Sequence, residues 1–177
     1  MEKDEMLRLV AAAKKQDKSA FAELYEGYYK ALFKAAYYIL GNRHDAEDTV
    51  MDTVIDAYSS IDKLRSDEAF DGWLFKILYN KARRKRGTLI YTATAELNEE
   101  TEACGGDYDS ISENADLMNA LFTLTKEERT IIVLSIVGGY SSLEIAKITG
   151  LNANTVRSKQ MRGLAKLREI LEGGKAK

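Results

Sequence analysis

Not one of the 177 residues is proline, so nothing in the chain forces the interior helix break that a pyrrolidine ring imposes. Apolar residues recur at three- and four-residue steps along most of the sequence, the period of a helix with one buried face. A first helix is predicted over Glu5–Lys15, with Leu7, Val10 and Ala11 on one side. Asp17 or Ser19 caps a second that runs to Leu40 through Phe21, Leu24, Tyr25, Tyr28, Leu32, Phe33, Ala36 and Ile39. Gly41 closes it as a left-handed cap. Asn42 opens a third helix, Arg43–Leu64, with a seam of Ala46, Val50, Val54, Ala57, Tyr58 and Ile61. The loop Arg65–Ala69 leads into a fourth, Phe70 to Arg86, which buries Phe70, Trp73, Leu74, Ile77 and Leu78.

Residues 87–114 lose this period and gain Gly105, Gly106, threonines and acids. A structureless stretch of about 28 residues is too long for a loop within one compact domain, so it reads as a linker. The one short strand-like stretch is Leu89–Ala95. Beyond the linker a short helix, Asn114–Phe122, precedes two capping boxes, Thr125-Lys126-Glu127-Glu128 and Ser141-Ser142-Leu143-Glu144. The first opens a helix through Ile131, Ile132, Leu134, Ser135 and Val137 that Gly138-Gly139 breaks. The second opens the helix Ser142–Thr149. Asn152 caps a last helix from Ala153 to Leu171, and Gly173–Lys177 reads as a short flexible tail with no regulatory extension. The expected fold is all-α: two small helical domains, 1–86 and 115–177, joined by a flexible acidic linker at 87–114.

An apolar fraction of 45% suits a folded protein. No apolar run approaches the ~20 residues that span a bilayer, and the acidic start Met1–Glu5 is unlike a signal peptide, so a cytoplasmic protein is expected. Cys104 and His44, the single cysteine and the single histidine, supply neither a disulfide nor a zinc cluster. Nucleophilic triads and phosphate-cradling glycine loops lack their parts. No enzyme, metal or cofactor is therefore expected.

A net charge of −2 argues at first against a nucleic-acid partner, but the charges are segregated. Five of the six residues 81–86 are basic, as are five of the twelve residues 157–168, whereas residues 88–116 hold eight acids and no lysine or arginine. Ser142–Thr149 and the helix after Asn152, joined through Gly150-Leu151, have the dimensions of a helix-turn-helix. In that motif the second helix offers its first turns to base edges in the major groove. Here those residues are Asn154, Thr155, Arg157, Ser158 and Lys159, then Arg162, while Val156, Leu164 and Leu167 are expected to face the core. Asparagine can read adenine and arginine or lysine guanine. A surface helix of ordinary solvated charges is the competing reading.

The stretch Leu124–Leu171, with Ser142-Leu143-Glu144-Ile145-Ala146-Lys147-Ile148-Thr149-Gly150-Leu151 and Asn154-Thr155-Val156-Arg157-Ser158, resembles the promoter-reading C-terminal domain of extracytoplasmic-function sigma factors of bacterial RNA polymerase. Phe21–Arg86 resembles their N-terminal domain, through Ala20-Phe21-Ala22-Glu23-Leu24-Tyr25, Asp45-Ala46-Glu47-Asp48-Thr49-Val50, Ile61-Asp62-Lys63-Leu64-Arg65 and Trp73-Leu74-Phe75-Lys76-Ile77-Leu78-Tyr79-Asn80. The resemblance covers about two-thirds of the chain. It implies that Asp45, Glu47, Asp48 and Asp52 dock on the polymerase clamp, which suits a carboxylate-rich face meeting a basic partner; acids favoured by the helix dipole are the plainer reading. It implies minus-ten contacts from Lys63, Arg65, Lys76, Asn80, Arg83 and Arg84, with Arg65–Ala69 capturing a flipped base. It also implies minus-thirty-five contacts from the recognition helix and an anti-sigma partner.

Trp73 could stack on a base, but a tryptophan on an apolar helical stripe reads first as core. The acidic linker either mimics a phosphate chain in the polymerase channels or acts as a solvated spacer. Gln160 stands where the family has an apolar residue and Gly163 where it has a small one or alanine, with Met161 between them. Met51 and Asp56 depart from the family in the docking helix. A stand-alone helix-turn-helix regulator is the alternative, and it would need neither the acidic helix nor the basic run at Lys81–Arg86.

Overall fold

The computed structural model describes residues 2–92 and 115–173. The proposed linker path, Cys104 and the tail beyond Gly173 fall outside the described residues. Among those described, every regular element is helical. The helices are α1 (Lys3–Ala13), α2 (Lys18–Leu40), α3 (Arg43–Ser60), α4 (Phe70–Thr92), α5 (Ala115–Thr123), α6 (Lys126–Ile136), α7 (Ser142–Thr149) and α8 (Ala153–Gly173).

Their starts follow from local chemistry. The Asp17 carboxylate accepts from the amides of Ser19 and Ala20 and so is the cap of α2. Asn42 accepts from Asp45 to open α3. Both capping boxes form, Thr125 with Glu128 and Ser141 with Glu144. Asn152 accepts from the Asn154 amide at 2.9 Å at the head of α8. Each cap satisfies amides that the first helical turn leaves without partners.

Several boundaries differ from the sequence reading, the largest in the first unit. α1 lies two residues earlier at each end than expected. α3 ends at Ser60 and a 3-10 turn, Ile61–Lys63, replaces its last turn. α4 continues through Gly87 to Thr92, so Leu89–Thr92 is helical where a strand was expected to begin. A single glycine in a helix interior costs only about 1 kcal/mol relative to alanine, so Gly87 does not by itself end α4.

α2 is the hub of the first unit and packs on α1, α3 and α4, while in the second unit α6 packs on α8. The core includes Val10, Leu24, Leu32, Ile39, Val50, Ile61, Phe70 and Leu78, and it continues through Ile131, Ile132, Leu134 and Ile145. Phe75, not expected to be buried, is 2% exposed.

The two units pack directly on each other, α2 against α6 and α4 against α7. The Tyr140 hydroxyl donates to Asp71 Oδ1 at 2.8 Å, and its ring meets Phe75 edge-on at 5.2 Å. Gly41, at φ +80°, ends α2 where the Phe122 ring lies against its α-carbon and leaves no room for a Cβ. That position needs glycine for both reasons.

Candidate nucleic-acid interface

The first turns of α8 carry Asn154, Arg157, Ser158 and Arg162 on one exposed side, with Thr155 and Lys159 half-buried. These residues hold one another. Arg157 Nη1 donates to Asn154 Oδ1 at 3.1 Å, Ser158 Oγ donates to the Asn154 carbonyl at 2.9 Å, and Arg162 Nε donates to the Ser158 carbonyl at 3.3 Å. Lys159 instead pairs with Glu127 of α6 at 2.8 Å. The buried seam of α8 is Val156, Gly163 and Leu167. Leu164, expected in the core, is 43% exposed, and Gly163 takes the inward position instead. Positions 156, 163 and 167 share a face at helical spacing, whereas 164 lies about 100° further round.

The basic run at the end of α4 divides by direction. Lys81 pairs with Asp56 at 2.8 Å, and Lys85 pairs with Asp45 at 3.0 Å and Asp48 at 2.8 Å. Arg86 reaches across to the second unit, donating to the Lys126 carbonyl at 3.3 Å and Thr130 Oγ1 at 3.4 Å. Only Arg83 and Arg84 of the five are exposed, and the Arg83 guanidinium lies 5.9 Å from the Tyr79 ring centre. Lys76, Lys63 and Arg65 are exposed and Asn80 is half-buried. The Lys14–Asp67 ion pair, 2.8 Å, ties the Arg65–Ala69 loop to α1.

Trp73 is half-buried. It packs against Phe70, with ring centres 5.9 Å apart. It also lines a cleft of about 410 Å³ between the units, with Lys76, Tyr140, Glu144 and Lys147.

On α3, Glu47, Asp48 and Asp52 are exposed and Asp45 is half-buried. The hydrogen bond from Lys85 holds the Asp48 carboxyl below its ordinary value. Burial works against the Lys85 ammonium, but its bonds to Asp48 and Asp45 outweigh that and raise its pKa. His44, Asp45 and Asp48 come together at the start of α3, where the Lys85 ammonium already serves the two carboxylates. Beside the acids stand Met51, 57% exposed, and Ile55, 55% exposed.

Sequence reasoning missed two groups of residues. One is the contact between the units, in which Tyr140 meets Asp71 and Phe75 from 69 and 65 positions away and carries no local signal. The other is Arg129, 6% exposed, which stacks on the Phe122 ring at 3.7 Å while its Nε and Nη1 find no hydrogen-bond partner among the described residues. Burial, with help from the nearby charge of Arg86, lowers its pKa to about 10.

Residues 24–87 match Sigma-70 region 2, and residues 114–167 match Sigma-70, region 4. The sigma factor NccH of Alcaligenes xylosoxydans xylosoxydans is 32% identical over 173 residues, covering 93% of each chain. The chain belongs to the extracytoplasmic-function sigma factors. The sigma factor SigW of Bacillus subtilis, of that class by name, is 27% identical and covers 92% of this chain and 94% of its own. Among solved structures, the Bartonella quintana sigma factor RpoE in complex with the anti-sigma factor NepR superposes with a TM-score of 0.72 at 28% identity. That match covers 86% of this chain and 96% of RpoE. A sigma factor binds core RNA polymerase, recognises promoter DNA and promotes strand opening. Its family consists of DNA-recognising regulatory subunits, not enzymes. The helix-turn-helix and the α3–α4 pair therefore sit in the two regions that define this sigma factor.

Proposed function

We propose that this sigma factor divides its task among three faces. The exposed start of α8 reads the minus-thirty-five element, with Asn154, Thr155, Arg157 and Ser158 toward base edges and Lys159 and Arg162 toward phosphates. α4 and the loop before it engage the minus-ten element through Lys63, Arg65, Lys76, Asn80, Arg83 and Arg84. Asp45, Glu47, Asp48 and Asp52 on α3 meet a basic surface of core polymerase, with Met51 and Ile55 as an apolar ridge among them.

The observation that supports this reading most is the make-up of α8: a buried seam on one side and, on its first turns, exposed Asn154, Arg157 and Ser158, with Met161 and Arg162 exposed on the turn beyond. The helix can enter a groove without unfolding. Residues 1–86 then serve polymerase and the minus-ten element, residues 115–177 serve the minus-thirty-five element, and residues 87–114 connect them. No described helix is long and apolar enough to cross a membrane, and the proposed setting is the cytoplasm. RpoE is held by an anti-sigma factor in its solved structure; an anti-sigma partner is proposed here too.

In vitro transcription with core polymerase, followed by mapping of start sites, tests the reading. The expected result is co-elution with polymerase and discrete transcripts from a defined promoter class. Specific duplex binding without polymerase, and no transcripts with it, would identify a stand-alone regulator instead.

A further inference from the structure

Gln160 lies on the side of α8 that faces α6 and α7, three residues beyond Arg157. Its Nε2 donates to Ser135 Oγ of α6 at 2.8 Å, and its Oε1 accepts from Ser142 Oγ of α7 at 3.1 Å. One half-buried amide thus joins all three helices of the helix-turn-helix core. On the next turn, Gly163 is buried, and a Cβ there would stand 2.5 Å from Ile132 Cδ1 and 3.4 Å from Glu128 Cβ. At Gly163 a Cβ could be seated only by moving the end of the Ile132 side chain, so the two helices lie close there, while at Gln160 a long side chain spans the gap. Lys159–Glu127 at 2.8 Å and Lys166–Glu128 at 3.0 Å flank this contact on the same pair of helices.

We infer that Gln160 and Gly163 are positioning residues that set the roll and depth of the recognition helix, and so its base preference, without touching DNA. The inference rests on reading α8 as the helix that enters the promoter's upstream groove. A close contact at one turn fixes depth. A hydrogen-bonded spacer held by two helices at the preceding turn fixes rotation. A roll of about 20° moves a side-chain tip ~6 Å from the helix axis by about 2 Å. Hydrogen bonds to base edges do not survive such a displacement. An apolar side chain at 160, as the family carries, sets the rotation by shape alone, so a leucine here should seat α8 at a different roll from the one the two hydrogen bonds hold.

The test uses the sigma factor bound to core polymerase and a library of promoters randomised in the upstream element, with transcripts read to give the base preference. Gln160→Leu removes both hydrogen bonds. The double variant Ser135→Ala with Ser142→Ala removes them without altering α8, so it also reports should Gln160→Leu fold poorly. Both should flatten the upstream preference by about five- to a hundredfold at one or more positions, the range of one base contact, and leave minus-ten preference unchanged. Adding the serine changes to Gln160→Leu should do nothing further. Gln160→Glu, whose carboxylate can accept from both hydroxyls, should restore the parental preference. A parental upstream profile in Gln160→Leu and in the serine double variant overturns the inference. Arg157→Ala separates the two levels: if it also leaves the upstream profile unchanged, the reading of α8 fails; if it alters the profile while the Gln160 and serine variants do not, only the positioning role fails.

Discussion

Replacing Tyr140 by phenylalanine deletes one hydroxyl from the seam between the two helical units and leaves the ring against Phe75 in place. The lost bond runs to the Asp71 carboxylate at 2.8 Å. Hydrogen bonds to charged partners contribute about 1.5–3 kcal/mol, so the variant should lose stability in that range. Asp71→Asn makes the opposite case, because its amide oxygen still accepts from Tyr140 while the buried charge disappears. The Asp71 carboxyl is raised above its ordinary value, first by burial and then by the charge of Glu144, with the Tyr140 bond opposing both. Asp71 in turn helps burial push the neighbouring Tyr28 phenol to about 12. The folded protein thus binds the Asp71 proton more tightly than the unfolded chain. The contribution of Asp71 to stability is then greatest below the ordinary carboxylate range and falls as pH rises from there through the raised value. Asp71→Asn should flatten that slope and be the more stable protein at neutral pH. Urea unfolding at a series of pH values, followed by circular dichroism and Trp73 fluorescence, measures all three proteins. An unshifted midpoint for Tyr140→Phe, or equal pH slopes for Asp71→Asn and its parent, would refute the reasoning.

Other substitutions test separate parts of the structure. Arg162→Ala should weaken promoter binding across sequences and lower its salt dependence, whereas Asn154→Ala and Arg157→Ala should change preference at particular upstream positions; competition binding at two salt concentrations distinguishes them. Gly41→Ala forces a side chain into a left-handed conformation against the Phe122 ring and should cost at least about 1–3 kcal/mol, read as a lowered melting temperature. Asp52→Lys reverses an exposed charge on α3 and should reduce co-elution with core polymerase several-fold at low salt while unfolding at the parental temperature. Equal co-elution would remove Asp52 from the docking surface.

The helical architecture was legible because its signals are local. Asn42, Thr125, Ser141 and Asn152 each hold an amide within three residues of themselves, so a short window of sequence contains the whole interaction. The contact between the units was not legible, since Tyr140 and Asp71 are brought together only by the packing of α4 on α7. On the recognition helix, the apolar pattern favoured Leu164 as core because leucine is the stronger hydrophobe. The close approach of Ile132 selects Gly163 instead, and that requirement belongs to α6.

The basic run at Lys81–Arg86 shows why a charge count misleads where a charge map does not. Read along the sequence, it is one cationic cluster. In the fold, a helix turns its residues about 100° at a time, so Lys81 and Lys85, four apart, face the acids of α3. Arg83 and Arg84 turn to solvent, and Arg86 meets the second unit. The carboxylates that the resemblance implied for a protein partner also serve the fold: Asp45 and Asp48 hold α4 against α3, leaving Glu47 and Asp52 outward. A basic partner approaching α3 meets a surface whose charge is already partly balanced. On the proposed docking, the exposed Met51 and Ile55 would then contribute beside the acids.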